Sequence, residues 1–358
     1  MAKFSEILKI VNGKNQGRVE NPNGRYPIYG SGGVMGYADD YLCEAETVVI
    51  GRKGSINKPI YVEEPFWNVD TAFGLVANRD MLLPKYLFYF CVYFDFEQLN
   101  TTVTIPSLTK ANLLNIEMNL PSLTVQQKIV ERLSKVDELI SLRKEQLAKL
   151  DQLVKSRFIE LFGDPVKNDM GWASKPLNDV CDGIGDGLHG TPVYDDNGNY
   201  PFINGNNLND GKIVITPATK MVAAETYEKH FINISLNAIL ISINGTLGKL
   251  AFYNGEKVML GKSACYCNLQ QNINKVFVYG VMKSDAFAEF LENSSTKSTI
   301  KNVGLKAMRE FKLILPPNEL QEQFATFVEQ TDKSKLAIQQ SLDKLEMLKK
   351  SLMQEYFG

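Results

Sequence analysis

Two long stretches of the sequence repeat apolar residues in alternating steps of four and three. The first stretch runs from Ile129 to Leu161, and the second runs from Phe324 to Tyr356. Spacing of this kind places apolar side chains along one side of an α-helix for about five heptads. The pattern therefore predicts two helices, each about 60 Å long.

Prolines and a glycine mark the predicted helix limits. Pro121 precedes the first stretch, Pro316 and Pro317 precede the second, and the first ends at Gly163 with Pro165 close behind. An amphipathic helix must bury its apolar stripe. The length of the stripes favours antiparallel packing of the two helices on each other, with globular parts at opposite ends. The alternative is that each helix folds back on its own globular part.

The rest of the sequence is rich in patterns that predict β-strands. The segments "ETVVIGRKGSINKPIYV" (46–62) and "NAILISINGTLGKLAFY" (237–253) have a strand–turn–strand pattern with Gly-Ser or Gly-Thr at the turn. Short helices are predicted at 84–96 and 281–293. The globular parts should therefore be mixed but rich in β-structure.

The chain contains an internal repeat. A shift of 195 residues aligns 120–163 with 315–358 without a gap, and 13 of these 44 positions are identical. Weaker similarities precede both segments in the same order: "YPIYG" with "YPFING", "VVIGRKGSINK" with "ILISINGTLGK", and "VDTAFGLV" with "GKSACYCNL". Two copies of one unit, each a globular part followed by a long helix, account for this order.

Together these patterns predict an α+β fold with a pseudo-twofold internal repeat. Two β-rich mixed domains are separated by two long antiparallel coiled-coil helices. The predicted bounds are 1–120 for the first globular domain, 121–163 for the first helix, 164–316 for the second globular domain and 317–358 for the second helix.

Composition and charge limit the class of protein. The 358-residue chain has a net charge of −2, and segment 164–317 contains 15 basic and 15 acidic residues. No part is strongly basic, which argues against strong nucleic-acid binding by the chain alone. Five scattered cysteines, no signal-peptide pattern and no apolar run long enough to cross a bilayer are typical of a cytoplasmic protein.

The sequence contains no recognisable catalytic constellation. "GEKVMLGKS" (255–263) resembles a phosphate-binding loop but has five residues instead of four before Gly-Lys-Ser. His189 and His230 have no nucleophile nearby in sequence, and no metal-ligand spacing is found. We therefore expect no enzymatic activity, no metal and no cofactor. A nucleotide-binding enzyme that uses 255–263 is kept as an alternative.

Polar side chains suited to hydrogen bonding with DNA occur at matching places in both copies. Arginine and lysine suit guanine edges and phosphates, whereas asparagine suits adenine edges. The candidate DNA-binding residues are Arg25, Arg52, Lys53, Asn57, Lys58, Asn68 and Thr104 in the first copy, and Asn204, Asn206, Asn207, Asn244, Thr246, Lys249, Lys262, Lys301 and Asn302 in the second.

The ordered motifs resemble those of the specificity (S) subunits of type I restriction–modification systems. The resemblance covers almost the whole chain, and its strongest element is the duplicated passage "LPSLTVQQ" and "LPPNELQEQ" before each helix. It implies a non-catalytic subunit in which two target-recognition domains each read one half of a bipartite DNA site. It also implies that the helices act as a spacer and dock two methyltransferase (M) subunits, which restriction (R) subunits join.

This resemblance accommodates the low net charge. Because M subunits of this family also embrace the DNA, the S subunit need not supply the whole phosphate-binding field. The two globular parts differ in sequence, so we expect an asymmetric, non-palindromic site whose two halves lie about one helical turn apart. A purely structural coiled-coil scaffold is the remaining alternative.

Overall fold

A computed structural model describes residues 1–100 and 107–358. Thr104 therefore lies outside the described residues. Spatial contacts divide the chain into two compact units, which are called unit 1 (Met1–Gln146 with Ile338–Gly358) and unit 2 (Leu147–Ala337). Both long helices continue from one unit into the other, so each unit contains part of each helix.

Unit 1 contains nine described strands and the start of the first long helix. The strands are β1 (Ala2–Lys3), β2 (Leu8–Asn12), β3 (Tyr26–Gly30), β4 (Gly33–Ala38), β5 (Thr47–Gly51), β6 (Ile60–Val62), β7 (Trp67–Asn68), β8 (Ala72–Ala77) and β9 (Glu117–Met118). The helices are α1 (Phe4–Ile7), α2 (Pro84–Tyr93), a 3-10 helix at Phe96–Leu99, α3 (Lys110–Leu114) and the long α4 (Leu123–Phe162).

The strands of unit 1 form two larger sheets. One sheet has the antiparallel order β2-β8-β5-β6, and the other has the order β4-β3-β7, in which β3 and β7 are parallel. Strand β5 is buried at every residue because both of its faces are covered, which agrees with its continuous apolar sequence "TVVIG". The main core joins this sheet to α2 and to the first turns of α4 through Ile129 and Leu133.

Unit 2 contains the remaining strands and helices. Its strands are β10 (Ser174–Pro176), β11 (Cys181–Asp186), β12 (Tyr200–Ile203), β13 (Leu208–Asn209), β14 (Lys212–Ile213), β15 (Met221–Val222), β16 (Ala238–Ser242), β17 (Leu250–Phe252), β18 (Met259–Leu260), β19 (Ala264–Leu269) and β20 (Lys312–Ile314). Its helices are α5 (Ala224–Lys229), α6 (Lys275–Met282), α7 (Asp285–Ser294), α8 (Leu305–Glu310), the long α9 (Asn318–Phe357) and 3-10 helices at Leu177–Val180 and Gly205–Asn207.

The sheets of unit 2 repeat those of unit 1. The order β11-β19-β16-β17 corresponds to β2-β8-β5-β6, and β15-β12-β18 corresponds to β4-β3-β7, again with one parallel pair. The two-stranded pair β10–β20 corresponds to β1–β9. The predicted α+β class, the internal repeat and both strand–turn–strand segments are therefore confirmed.

The predicted helix at 281–293 is wrong in its bounds. Two helices, α6 and α7, meet there, because the hydroxyl oxygen of Ser284 accepts a hydrogen bond from the backbone N–H of Phe287 and caps α7. Only Lys283 and Ser284 separate the two helices, so periodicity alone did not reveal the break.

The two long helices pack against each other in antiparallel orientation within each unit. In unit 1, Asp137 pairs with Lys349 (2.6 Å) and Lys144 with Glu346 (3.2 Å), so partner numbers fall in α9 as they rise in α4. In unit 2, Asp151 pairs with Lys335 (2.6 Å). The antiparallel pairing is therefore confirmed. The helices also pack on the globular parts, for example through Phe158 in the core of unit 2.

A buried glutamine anchors the start of each long helix. Gln126 accepts a hydrogen bond from the backbone N–H of Leu83 (2.9 Å) and donates to the carbonyl oxygen of Pro121 (2.8 Å). Gln321 accepts from Asn274 (3.1 Å) and donates to Pro316 (2.9 Å) in the same way. Burial makes an unsatisfied amide costly, which explains why this residue type recurs at the same place in both copies.

The cysteine side chains are buried. Burial raises the pKa of the Cys43 thiol to about 12. A hydrogen bond with Cys265, together with burial, holds the pKa of Cys267 well above its usual range. Such thiols stay neutral and behave as small apolar groups. No helix in the described ranges is long and apolar enough to span a bilayer.

Candidate nucleic-acid interface

In unit 1, several loops converge where the central strands end. We call this surface the loop end of unit 1; it comprises Gly13–Asn15, Gly30–Gly33, Arg52–Lys58, Asn68–Thr71 and Ser107. The backbone N–H of Arg52 donates to Thr71 (2.8 Å), and the carbonyl of Arg52 accepts from Leu108 (2.9 Å). Because β3 and β7 are parallel, Gly30 and Asn68 leave the sheet at the same edge.

The loop end of unit 2 has the same construction. It comprises Gly187–Gly190, Asn204–Asn207, Asn244–Lys249, Gly261–Ser263 and Lys301–Asn302. The backbone N–H of Ile243 donates to Ser263 (3.0 Å), and the carbonyl of Ile243 accepts from Val303 (2.8 Å). The hydroxyl of Ser263 donates to Asn204 Oδ1 (2.9 Å) and thereby joins two of the loops.

Four backbone hydrogen bonds recur at equivalent places in the two loop ends. Each bond runs from a backbone N–H to a backbone carbonyl. In unit 1 these bonds are Arg52 to Thr71, Leu108 to Arg52, Val69 to Tyr29 and Lys14 to Asn68. Their equivalents in unit 2, in the same order, are Ile243 to Ser263, Val303 to Ile243, Gly261 to Ile203 and Leu188 to Leu260. The backbone framework is therefore repeated, whereas the side chains on it differ between the units.

Equivalent glycines close the longest turn of each loop end. Gly54 has φ +80° and Gly245 has φ +76°, which is a left-handed conformation that glycine adopts without steric cost. The residue before each glycine, Lys53 or Asn244, pairs with a residue of another loop, Ser107 or Asn302. The same turn therefore presents a cation in unit 1 and an amide in unit 2.

The structure brings most of the predicted DNA-binding residues together, separately in each unit. The exposed members are Arg52, Lys53, Asn57 and Lys58 in unit 1, and Asn206, Thr246, Lys262 and Lys301 in unit 2. The partly buried members are Asn204, Asn207, Asn244, Lys249 and Asn302. All thirteen lie within the two loop ends.

Several predicted residues are less suited to reading DNA than their sequence indicates. Asn68 is fully buried, and its amide donates to Val11 and Ala72, so it supports the fold. Asn57 bridges Asp95 (2.7 Å) and the N–H of Phe96 (2.7 Å). Asn207 holds the loop that contains Val214. Arg25 lies at the opposite end of β3.

Other predicted residues have partners that a DNA ligand would have to replace. Lys301 forms an ion pair with Glu292 (2.5 Å), and the amide of Asn244 donates to Asn302 (3.1 Å). Both contacts are at or near the surface, where such interactions contribute little to stability. The structure adds Lys14 to the loop end of unit 1, where it follows β2.

The loop ends are locally basic although the chain as a whole is not. The ranges that define the loop end of unit 1 contain four basic residues and one acidic residue, Asp70. Those of unit 2 contain three lysines and no acidic residue. Lys53, Lys58 and Lys262 form no ion pair with the residues that the structure describes. These cations are therefore available to an anionic ligand.

The phosphate-loop alternative at 255–263 has no structural support. Met259 and Leu260 form β18, and residues 264–269 form another strand, β19, where a phosphate-binding loop would lead into a helix. Lys262 is exposed at the loop end, and its N–H donates to Leu188 (3.0 Å). The segment is a strand connection.

A second repeated surface lies on the exposed side of the long helices. Residues at spacings of four, three and four share one helix face. Four identical residues occupy such a face in each helix, and we call each set a repeat stripe: Lys149, Leu153, Ser156 and Glu160 in α4, and Lys344, Leu348, Ser351 and Glu355 in α9. All eight residues are exposed, so packing within the chain does not explain their identity. Unit 2 contains the first stripe and unit 1 the second.

A family model of the type I restriction modification DNA specificity domain matches residues 1–152 and 170–347. The chain belongs to this family. The two matched segments agree with the internal repeat.

Curated relatives support this membership. The chain is 28% identical over 147 residues to a putative type I restriction enzyme specificity subunit of Haemophilus influenzae. This match covers 38% of the chain and 37% of the relative. It is 27% identical over 198 residues to a putative type I restriction enzyme specificity subunit of Methanocaldococcus jannaschii. This match covers 52% of the chain and 45% of the relative. The matched segments thus span less than half of either relative.

Solved structures share the fold. A crystal structure of a type I restriction–modification S subunit from M. genitalium superposes with a TM-score of 0.63 at 16% identity, over 100% of this chain and 95% of that one. A chain from a structural study of complex assembly and conformational transition of the type I system superposes with a TM-score of 0.62 at 17% identity. The superposition covers 99% of this chain and 96% of that one.

Proposed function

We propose that this chain is the non-catalytic DNA-reading subunit of a type I restriction–modification complex, in which each loop end contacts one half of a bipartite site. The observation that supports this proposal is the repeated backbone framework with different side chains. A fixed framework holds polar side chains at set positions, whereas their identity sets which base edges they bind. Two different sets of side chains imply two different half-sites.

The regions that we propose as target-recognition domains are 1–120 and 164–316. Within them, the strongest candidates for DNA contact are the exposed side chains Arg52, Lys53 and Lys58, and Asn206, Thr246 and Lys262. Lys301 and the Asn244–Asn302 pair are further candidates because their present partners are weakly held. Asn68 is proposed only as a support for the loop.

Affinity for DNA depends largely on contacts with phosphates, and each loop end supplies only a few cations. We therefore propose that the isolated chain binds DNA weakly and that its partners complete the clamp. DNA as the ligand and five reduced cysteines fit a cytoplasmic location.

The repeat stripes are the proposed docking surfaces for two M subunits. The same partner that binds twice needs the same surface twice, and each stripe centres on an exposed leucine between charged residues. Exposed apolar side chains with polar surroundings are typical of protein interfaces. R subunits are proposed to join this complex.

The substitution Leu153→Asp should weaken docking of one M subunit, and Leu153→Asp with Leu348→Asp should prevent docking of both. A charge placed in a desolvated interface costs several kcal/mol, so we expect a fall in affinity of about 100-fold or more per site. Mass measurement of the co-expressed complex would report the loss. Val125→Asp, at an exposed position on a different face of α4, is the matched control. Normal assembly of the double variant would contradict the docking proposal.

The direct test of DNA reading is methylation mapping of DNA from cells that express the chain with its M subunit. A split, asymmetric methylated sequence is the expected result.

Lys262→Ala should weaken binding of the purified complex to its mapped DNA site. It should also reduce the slope of log K against log salt concentration by the amount that one phosphate contact contributes, about one. Lys175→Ala, on β10 in the same unit but outside its loop end, should leave both unchanged. A complex that assembles but methylates without sequence preference would favour the scaffold alternative.

A further inference from the structure

His189, within the loop end of unit 2, pairs with Asp186, which directly precedes that loop end in sequence; neither residue was among the predicted DNA contacts. His189 Nε2 is 2.7 Å from Asp186 Oδ2. The side chain of Asp186, the last residue of β11, is only 15% exposed, whereas that of His189 is 70% exposed. The carboxylate is therefore held by the sheet, and the imidazole extends from it toward solvent.

The backbone around His189 is fixed from two sides. The N–H of Leu188 donates to Leu260 (2.8 Å), and the carbonyl of Leu188 accepts from Lys262 (3.0 Å). Gly187 approaches Leu260 so closely that a Cβ would stand 2.0 Å from its carbonyl oxygen. The turn that carries His189 is thus attached to the loop that carries the exposed Lys262.

We propose that His189 contacts the DNA half-site read by unit 2 and that Asp186 is its positioning residue; this inference rests on the proposed function. With Nε2 engaged by the carboxylate, Nδ1 is left for a ligand. A neutral ring offers an acceptor at Nδ1, and a protonated ring offers a donor. In either form Nδ1 can make a hydrogen bond with the DNA, to a phosphate oxygen as a donor or to a base edge as a donor or acceptor.

The other charged or titratable groups close to the pair are Lys262, Tyr266 on β19 and Arg309 on α8, whose guanidinium donates to Ile184 (3.0 Å). Burial raises the pKa of Tyr266, with smaller contributions that include the charge of Asp186. The lysine and the arginine add positive charge beside the pair, which suits an anionic ligand such as DNA.

The test measures the affinity of the complex with M subunits for its mapped site. His189→Gln should bind that site several-fold more weakly, because the hydrogen bond between the imidazole and the DNA is lost. Asp186→Ala should also weaken binding, because the ring is no longer held in place. Asp186→Asn should restore most of this loss, because its side-chain oxygen still accepts a hydrogen bond from Nε2–H.

His230→Gln is the matched control, because His230 is the other histidine of the chain and lies at the end of α5. It should leave the affinity unchanged. If the parent complex shows a mapped site and His189→Gln binds it with the parent's affinity, the inference about His189 is overturned while the proposed function stands. If the parent complex shows no sequence preference, the proposed function itself fails.

Discussion

Exchange of residues 164–316 for the corresponding region of another family member should change one half of the recognised site and leave the other half intact. The loop end of unit 2 lies wholly within this region, and that of unit 1 lies wholly outside it. Each mismatched base pair costs about 1–3 kcal/mol, so the parent site should lose more than 100-fold in binding when several pairs change. Methylation mapping of cells that express the hybrid would show which half has changed.

The junctions of this exchange follow from the contacts at the helix ends. Phe158 and Phe162 of α4 pack on Phe277, with ring centroids 6.0 Å and 4.8 Å apart. Gln321 of α9 binds the backbone N–H of Asn274. A donor region should therefore provide an aromatic residue at the position of Phe277. The reciprocal exchange of residues 1–120 is the control and should change the other half. A change in both halves, or in neither, would contradict the two-reader proposal.

Removal of residues 345–358 should destabilise unit 1 so strongly that the chain no longer assembles. This last part of α9 contributes Met353 to the main core of unit 1, and Phe357 packs on Tyr86 with ring centroids 5.2 Å apart. Loss of one buried Met or Phe side chain costs about 2–5 kcal/mol. The total stability of a domain is only about 5–15 kcal/mol. Thermal unfolding and complex assembly would measure the effect.

Substitutions of two methionines in α9 distinguish a loss of core packing from the general effect of a substitution in the helix. Met353 is 6% exposed in the core, whereas Met347 is 64% exposed. Met353→Ala should reduce the free energy of unfolding by about 2–4 kcal/mol, and Met347→Ala should change it by less than about 0.5 kcal/mol. Normal assembly and methylation by the truncated chain would show that the end of α9 is not part of the core of unit 1.

The sequence alone was sufficient for the architecture because the relevant signals are periodic or repeated. The apolar stripes predicted both long helices, which span Leu123–Phe162 and Asn318–Phe357. The repeat indicated two equivalent units, and the strand–turn–strand patterns predicted β5–β6 and β16–β17. Such signals reflect burial of one face of an element, which a local sequence window records.

The tertiary structure alone decided which polar residues face solvent and which support the fold. Lys53 lies just beyond β5 and Asn68 ends β7, yet Lys53 is exposed and Asn68 is fully buried. No catalytic context in the sequence marks His189, but the structure places its ring beside Asp186 and its backbone against the loop of Lys262. Asn68 and the turn that carries His189 are held by hydrogen bonds to segments that are distant in sequence, at Val11 and Leu260. No periodic pattern encodes such contacts, so only the folded chain shows which side chains meet.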